Sequence, residues 1–287
     1  MRLASVQNQE EKEKHGTFRD LTVTFLRNPG TASVLIGEAG RFPSESDAFQ
    51  MILGAASYAA SMEAQQALRD LFRTNLDEFG RQSILEAFTL MDKPMGKESI
   101  DFLNGIFRER GELSTSAGLA LGNALRQEEN SEARSAIDAE WQRASNEAEK
   151  QTVLDFIGNS GEESFLPYLE AAMQGSVSLQ RKAVYSARFM QGQRVRDFLL
   201  NALRSASDTG VREKAAAAIA FQGWDDGFMP ALTGCVEKES ATGLRIKCAD
   251  AALGEVSRAD AMRGVLARMA ESGDADWQEY VQVQLRK

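Results

Sequence analysis

The chain has 287 residues and a formal net charge of -9, with 43% hydrophobic and 26% charged side chains. Those fractions belong to a folded protein with its own core, and the acidic balance disfavours a nucleic-acid partner, which needs a basic face. No stretch approaches the ~18 consecutive apolar residues of a membrane-crossing helix, and one histidine with two cysteines is a poor supply of metal ligands, so neither metal nor cofactor is expected.

Residues 1–16 (MRLASVQNQEEKEKHG) are polar and lack the apolar core of a signal peptide. They are expected to form a disordered leader with His15 in solvent. With Met1 as the native start the protein is expected in the cytoplasm. As an excised fragment it would belong to the periplasm or outside the cell.

Residues 17–61 are expected to form an N-terminal helical cap. Leu21, Val23 and Phe25 alternate as in a strand, and Asn28-Pro29-Gly30 could turn a short hairpin. Phe18, Leu21, Phe25 and Leu26 equally mark a helix face, and the helical character of everything downstream favours helix.

Residues 62–287 read as paired amphipathic helices. First helices are expected to begin near Met62, Lys97, Ser131, Glu163, Arg194, Gly227 and Asp260, a step of 31 to 35 residues. A fixed period of this size marks a stacked repeat, because one helix pair cannot bury its apolar stripe alone. The second helices align as Leu179-Gln180-Arg181-Lys182-Ala183, Val211-Arg212-Glu213-Lys214-Ala215 and Leu244-Arg245-Ile246-Lys247-Cys248. Pro167 and Pro230 occupy matching first-turn positions of first helices, where a missing N–H is harmless.

Chemistry-bearing motifs fail on inspection. Met91 to Ser99 (MDKPMGKES) lacks the first glycine and the hydroxyl residue of a P-loop. Gly158-Asn159-Ser160-Gly161-Glu162 lacks the last glycine and the strand of a nucleophile elbow, and reads as a helix end. Glu128-Glu129 and Asp225-Asp226 read as solvated caps at joints. Cys248 falls in the small-residue column with Ala183 and Ala215, and Cys235 falls on an apolar stripe. Both are expected to be buried free thiols, although a disulfide across the pair is geometrically conceivable in an exported protein. Trp224 is expected to cover a core edge and Trp277 to cap the last helix.

The stretch Asp208-Thr-Gly-Val211-Arg212-Glu-Lys-Ala215 resembles the D-x-x-V-R-x-x-A centre of a HEAT repeat. That resemblance implies an all-α, right-handed α–α superhelix of about seven helix pairs, with Asp208 and Arg212 in an inter-repeat ladder. It also implies that the second helices line a concave face. Arg181, Tyr185, Arg188, Arg212 and Arg245 are then the expected contacts to a protein partner, since arginine and tyrosine anchor interfaces. A second run, Leu154-Asp-Phe156-Ile157-Gly158-Asn159-Ser160-Gly161 followed by Leu166-Pro167-Tyr168-Leu169, is similar to the helical domain of the vitellogenin and microsomal triglyceride transfer group. It implies a helical support for lipid binding or lipid transfer. The expectation is a scaffold that is not an enzyme, with lipid handling as the alternative, although some HEAT-like chains are chromophore lyases.

Overall fold

The computed structural model describes residues 2–127, 131–222, 227–254 and 256–286, with the backbone alone for 2–13 and 256–258. Trp224, Glu128-Glu129 and Asp225-Asp226 lie outside the described residues. The chain is all-α: among the described residues there is no strand, and no helix is long and apolar enough to cross a membrane. Its helices fall into two compact units, Met1–Glu140 and Trp141–Lys287.

The first unit begins with α1 (Arg2–Arg27) and α2 (Pro29–Ala39). The expected disordered leader is thus corrected: helix runs from Arg2, through a segment whose Gln, Glu and Lys are all good helix formers. His15 is exposed on this helix. The hairpin alternative also fails, because Pro29 supplies the first turn of α2, where no N–H is needed. Then follow α3 (Asp47–Ala59), α4 (Met62–Phe72), α5 (Glu78–Thr89), α6 (Lys97–Glu109), α7 (Ser114–Gln127) and α8 (Ser131–Arg143), which contains the boundary between the units. Helices α1, α3, α5 and α7 pack side by side as one layer, and α2, α4 and α6 as the other.

Contacts at about one repeat's separation lock the layers of this unit. Asp77 caps α5 by accepting from the Gly80 N–H at 2.8 Å, and also accepts from the Ser44 hydroxyl at 2.7 Å. Gln65 is buried, accepts from the Gly96 N–H and the Ser99 hydroxyl, and donates to the Pro94 carbonyl. The Met91–Ser99 segment is therefore a joint between α5 and α6, with Lys93 donating to the Ala59 carbonyl at 2.9 Å.

The second unit contains α9 (Glu147–Ser160), a 3-10 turn (Glu163–Phe165) leading into α10 (Leu166–Ala172), and α11 (Val177–Ser186) with a second 3-10 turn (Ala187–Phe189). It continues with α12 (Gln193–Ser205), α13 (Thr209–Ile219), α14 (Phe228–Lys238), α15 (Thr242–Leu253), α16 (Val256–Arg268) and α17 (Ala275–Leu285). The layers are α9, α11, α13, α15 and α17 against α10, α12, α14 and α16. The expected helix starts are met within a residue or so at Met62, Lys97, Ser131, Glu163, Arg194 and Gly227. The last first helix starts at Val256, ahead of Asp260.

The small-residue column is real. Ala183, Ala215 and Cys248 have no exposed surface, and Leu179, Val211 and Leu244 beside them are buried. Gly158 serves the same close approach: a Cβ there would lie 3.0 Å from the Ser186 Cα. The Gly158–Glu162 segment is the end of α9, as expected, closed by Gly161 at φ 65° in the left-handed region. Cys235 and Cys248 are joined in a disulfide between α14 and α15, which corrects the expectation of free thiols. The two sequence positions lie 13 residues apart on paired helices, and pairing of the helices brings the side chains together.

Candidate functional site

The second helices of the second unit carry the expected contact residues, and most of their arginines are engaged within the protein. Arg181 donates through Nε and Nη2 to the two oxygens of Asp208, at 2.9 and 3.0 Å. Asp208 in turn caps α13, accepting from the Val211 N–H at 2.9 Å. Burial opposes ionisation of this carboxyl, but the Arg181 and backbone hydrogen bonds outweigh it and hold the pKa below the usual range. Arg212 repeats the arrangement one step on, pairing with Glu239, whose carboxylate also accepts from the Ser240 and Ala241 N–H groups. For Glu239 too, burial is opposed and overcome by these bonds and the neighbouring guanidinium.

Arg245 is not a surface residue. It is only 5% exposed, with its guanidinium carbon 3.7 Å from the centroid of the Trp277 ring. Its Nε donates to the Val236 carbonyl at 3.0 Å and its Nη2 to the Ser272 hydroxyl at 3.3 Å. Burial lowers the pKa of its guanidinium, and the nearby negative charge of Asp274, the cap of α17, opposes that shift only in part. Trp277 itself is fully buried.

Asp208 and Arg212 each take part in an ion pair between neighbouring repeats. Asp208 and Arg212 belong to successive rungs: Arg181 reaches forward to Asp208, the N-cap of α13, and Arg212 to Glu239, the C-cap of α14 just ahead of α15. Lys182 points the other way, to Asp155 of α9 at 2.7 Å.

Tyr185 and Arg188 form a different kind of group. The Arg188 guanidinium stacks over Tyr185 at 4.8 Å and over Phe189 at 4.6 Å, and donates to Asn159 at 2.8 Å. Phe221, from the end of α13, meets Tyr185 edge-on at 6.3 Å and Phe189 edge-on at 5.7 Å. Lys214 places its ammonium 5.1 Å from the Tyr185 ring. The Gln222 amide ties this corner to the preceding repeat by donating to the Ala187 and Arg188 carbonyls. Phe221 remains 52% exposed. Three aromatic rings and two cations thus converge at the C-terminal ends of α11 and α13. Sequence reasoning found Tyr185 and Arg188 but missed Phe189 and Phe221, which follow the helix ends and break the helical period. Lys214 entered it only as a member of the aligned second-helix segments.

The first unit has a cleft of about 580 Å³ between Phe72, Arg81, Phe102 and the carboxylates of Glu78 and Glu112. Phe72 and Phe102 meet edge-on at 5.0 Å, and Arg81 sits over Phe72. The neighbouring Glu112 carboxyl, through its interaction with Glu78 and the repulsion between the two charges, raises the Glu78 pKa. Among the described residues no group of acids, cysteines and histidines is arranged to hold a metal ion.

No family model matches the chain, and no curated protein matches it. A solved structure, human deoxyhypusine hydroxylase in complex with glycerol, matches over 90% of this chain and 97% of its own, at 14% identity and a TM-score of 0.37. That protein is an enzyme by its name, so the expectation that this chain is no enzyme is withdrawn. A likeness this distant transfers neither an activity nor a family. The resemblance to lipid-transfer proteins finds no support in these comparisons.

Proposed function

We propose that this chain is a HEAT-like α-solenoid scaffold that binds a protein partner through the second-helix ends of its second unit. One observation carries the reading. Phe221, half in solvent, is held by Tyr185 and Phe189 beside the stacked Arg188 and the Lys214 ammonium. Aromatic and arginine side chains dominate interface hot spots, and a group already fixed by its neighbours loses little entropy when a partner docks. The neighbouring face is built of arginine–carboxylate rungs, which suits a protein surface better than an acyl chain.

The anchors in this reading are Tyr185, Arg188, Phe189 and Phe221, with Lys214 contributing charge. Arg181, Arg212 and Arg245 hold the repeats together beneath them. The test is cross-linking of the wild-type chain in its source cell, identification of the partner, and titration calorimetry with that partner. Phe221→Ser and Lys214→Glu should each weaken binding by tenfold or more, with unchanged circular dichroism. Full affinity in both variants sinks this choice of surface, and co-purification of a lipid with no protein partner favours the lipid alternative.

A further inference from the structure

The disulfide is not a sealed staple. Cys248 is fully buried, but Cys235 is only partly so and forms part of the wall of a cavity of about 340 Å³. The cavity lies between the end of α12, α13, α14 and the start of α15, and three cationic side chains line it: Arg204, Arg212 and Lys238. Arg204 and Lys238 are exposed, and among the described residues neither is paired with a carboxylate. Arg212 has its Nη1 committed to Glu239, but its Nε is buried with no hydrogen-bond acceptor. Glu239, the single acid of the lining, is spent on Arg212 and on two backbone N–H groups. The cavity therefore carries a local excess of positive charge in an acidic protein, with the partly exposed Cys235 in its wall.

We propose that this cavity is a docking site for small anionic thiols, those carrying a carboxylate or sulfonate, and that Cys235 is the sulfur they modify. The anionic group would sit between Arg204 and Lys238, within the field of the Arg212 guanidinium, leaving the thiolate at the disulfide. The thiolate sulfur attacks the Cys235 Sγ and a new S–S bond forms. The Cys235–Cys248 bond breaks, and its electron pair leaves on the Cys248 Sγ, which takes a proton from solvent. One disulfide is exchanged for another, and the incoming thiol is the only reductant. Accessibility decides which sulfur is attacked, and here the buried Cys248 is the leaving group. Once displaced, α14 and α15 remain packed through Leu232, Val236 and Leu244, all buried, so the exchange does not require unfolding.

The test uses the oxidised full-length chain and three thiols of similar size: mercaptoethanesulfonate, mercaptoethanol and cysteamine. Each reaction is acid-quenched, digested and mapped by mass spectrometry, with rates divided by thiolate concentration. The expected order is anionic, neutral, cationic, with about tenfold or more between the extremes at low salt and a narrower spread at high salt. The adduct should lie on Cys235. The Arg204→Glu/Lys238→Glu double variant changes two exposed side chains and should reverse the order. Equal normalised rates, an unchanged order in the variant, an adduct on Cys248, or no adduct from any of the three would each overturn the proposal.

Discussion

Replacing Arg245 by alanine removes a buried cation from between two repeats. The magnitude follows from its contacts. Its loss leaves the Val236 carbonyl without its side-chain donor, worth about 1–3 kcal/mol. It also removes a desolvated cation–π contact with Trp277, worth up to about 2 kcal/mol, and the packing of a mostly buried aliphatic stem at about 0.8 kcal/mol per methylene. Relief of the cost of burying the charge offsets part of this, leaving a net loss of about 3 kcal/mol. Arg245→Met keeps the stem and sets a sulfur against the indole, so it should lose only about half as much. Urea unfolding in a Trp141→Phe/Trp224→Phe background, followed by Trp277 fluorescence and by far-ultraviolet circular dichroism, reads both effects. Repeats are coupled chiefly to their neighbours, so in Arg245→Ala the fluorescence transition should move to lower urea ahead of the helical signal. A loss under about 0.5 kcal/mol, or equal losses in the two variants, would refute the view that this arginine ties the last helix pair to its neighbour.

Acid should loosen the protein in a way that two variants can separate. The pKa values of Asp77, Asp208, Glu239 and Asp274 are lowered by their hydrogen bonds, so their contribution is complete above the ordinary carboxylate range and is lost as pH falls through the lowered values. Asp208→Asn should therefore lower the thermal midpoint above about pH 5 and converge on the wild type in acid. Glu78 is raised by Glu112 and has the opposite sign: it stabilises in acid, and that contribution is lost as pH rises through the raised value. Glu112→Gln should thus help most at neutral pH, and an effect confined to acid would contradict the repulsion between the two carboxylates. The glycines divide similarly. Gly161→Ala strains a left-handed residue and brings a Cβ to 2.9 Å from the Phe189 carbonyl oxygen, at a cost of about 1–2 kcal/mol. Gly105→Ala, inside α6 with nothing within 4 Å, should stabilise by about 0.5–1 kcal/mol. Thermal melts showing the same sign for both would refute the assignment of their conformations.

Much of the architecture was legible because packing writes itself into the sequence periodically. The Leu179, Val211, Leu244 and Ala183, Ala215, Cys248 columns mark positions where second helices touch, and the structure buries all six. The rungs were harder to read because their partners lie in different repeats. Arg181 and Asp208 are 27 residues apart, as are Arg212 and Glu239, and a motif read within one repeat cannot pair them. The recurring arginine-to-acid spacing was the available signal. The aromatic cluster left a fainter trace, since Phe189 and Phe221 follow the helix ends, where amphipathic patterning stops. The leader was misread through its polarity: a segment rich in Glu, Lys and Gln can form helix without an apolar stripe. The disulfide hinged on whether the two sulfurs face each other, which spacing alone leaves open.

The double duty of Asp208, as cap of its own helix and acceptor for Arg181 of the helix before, has a consequence for cutting and splicing the chain. A boundary drawn in the loop between α12 and α13 separates an arginine from its acid, although it divides two helices of one visible pair. A boundary at the α11–α12 joint does the same to the same rung. A graft that moves α12 and α13 together must therefore bring an arginine at the equivalent of Arg181 in the acceptor, and an acid at the equivalent of Glu239 for its own Arg212. The transferable module is thus longer than one helix pair, and its ends are set by charge rather than by loops.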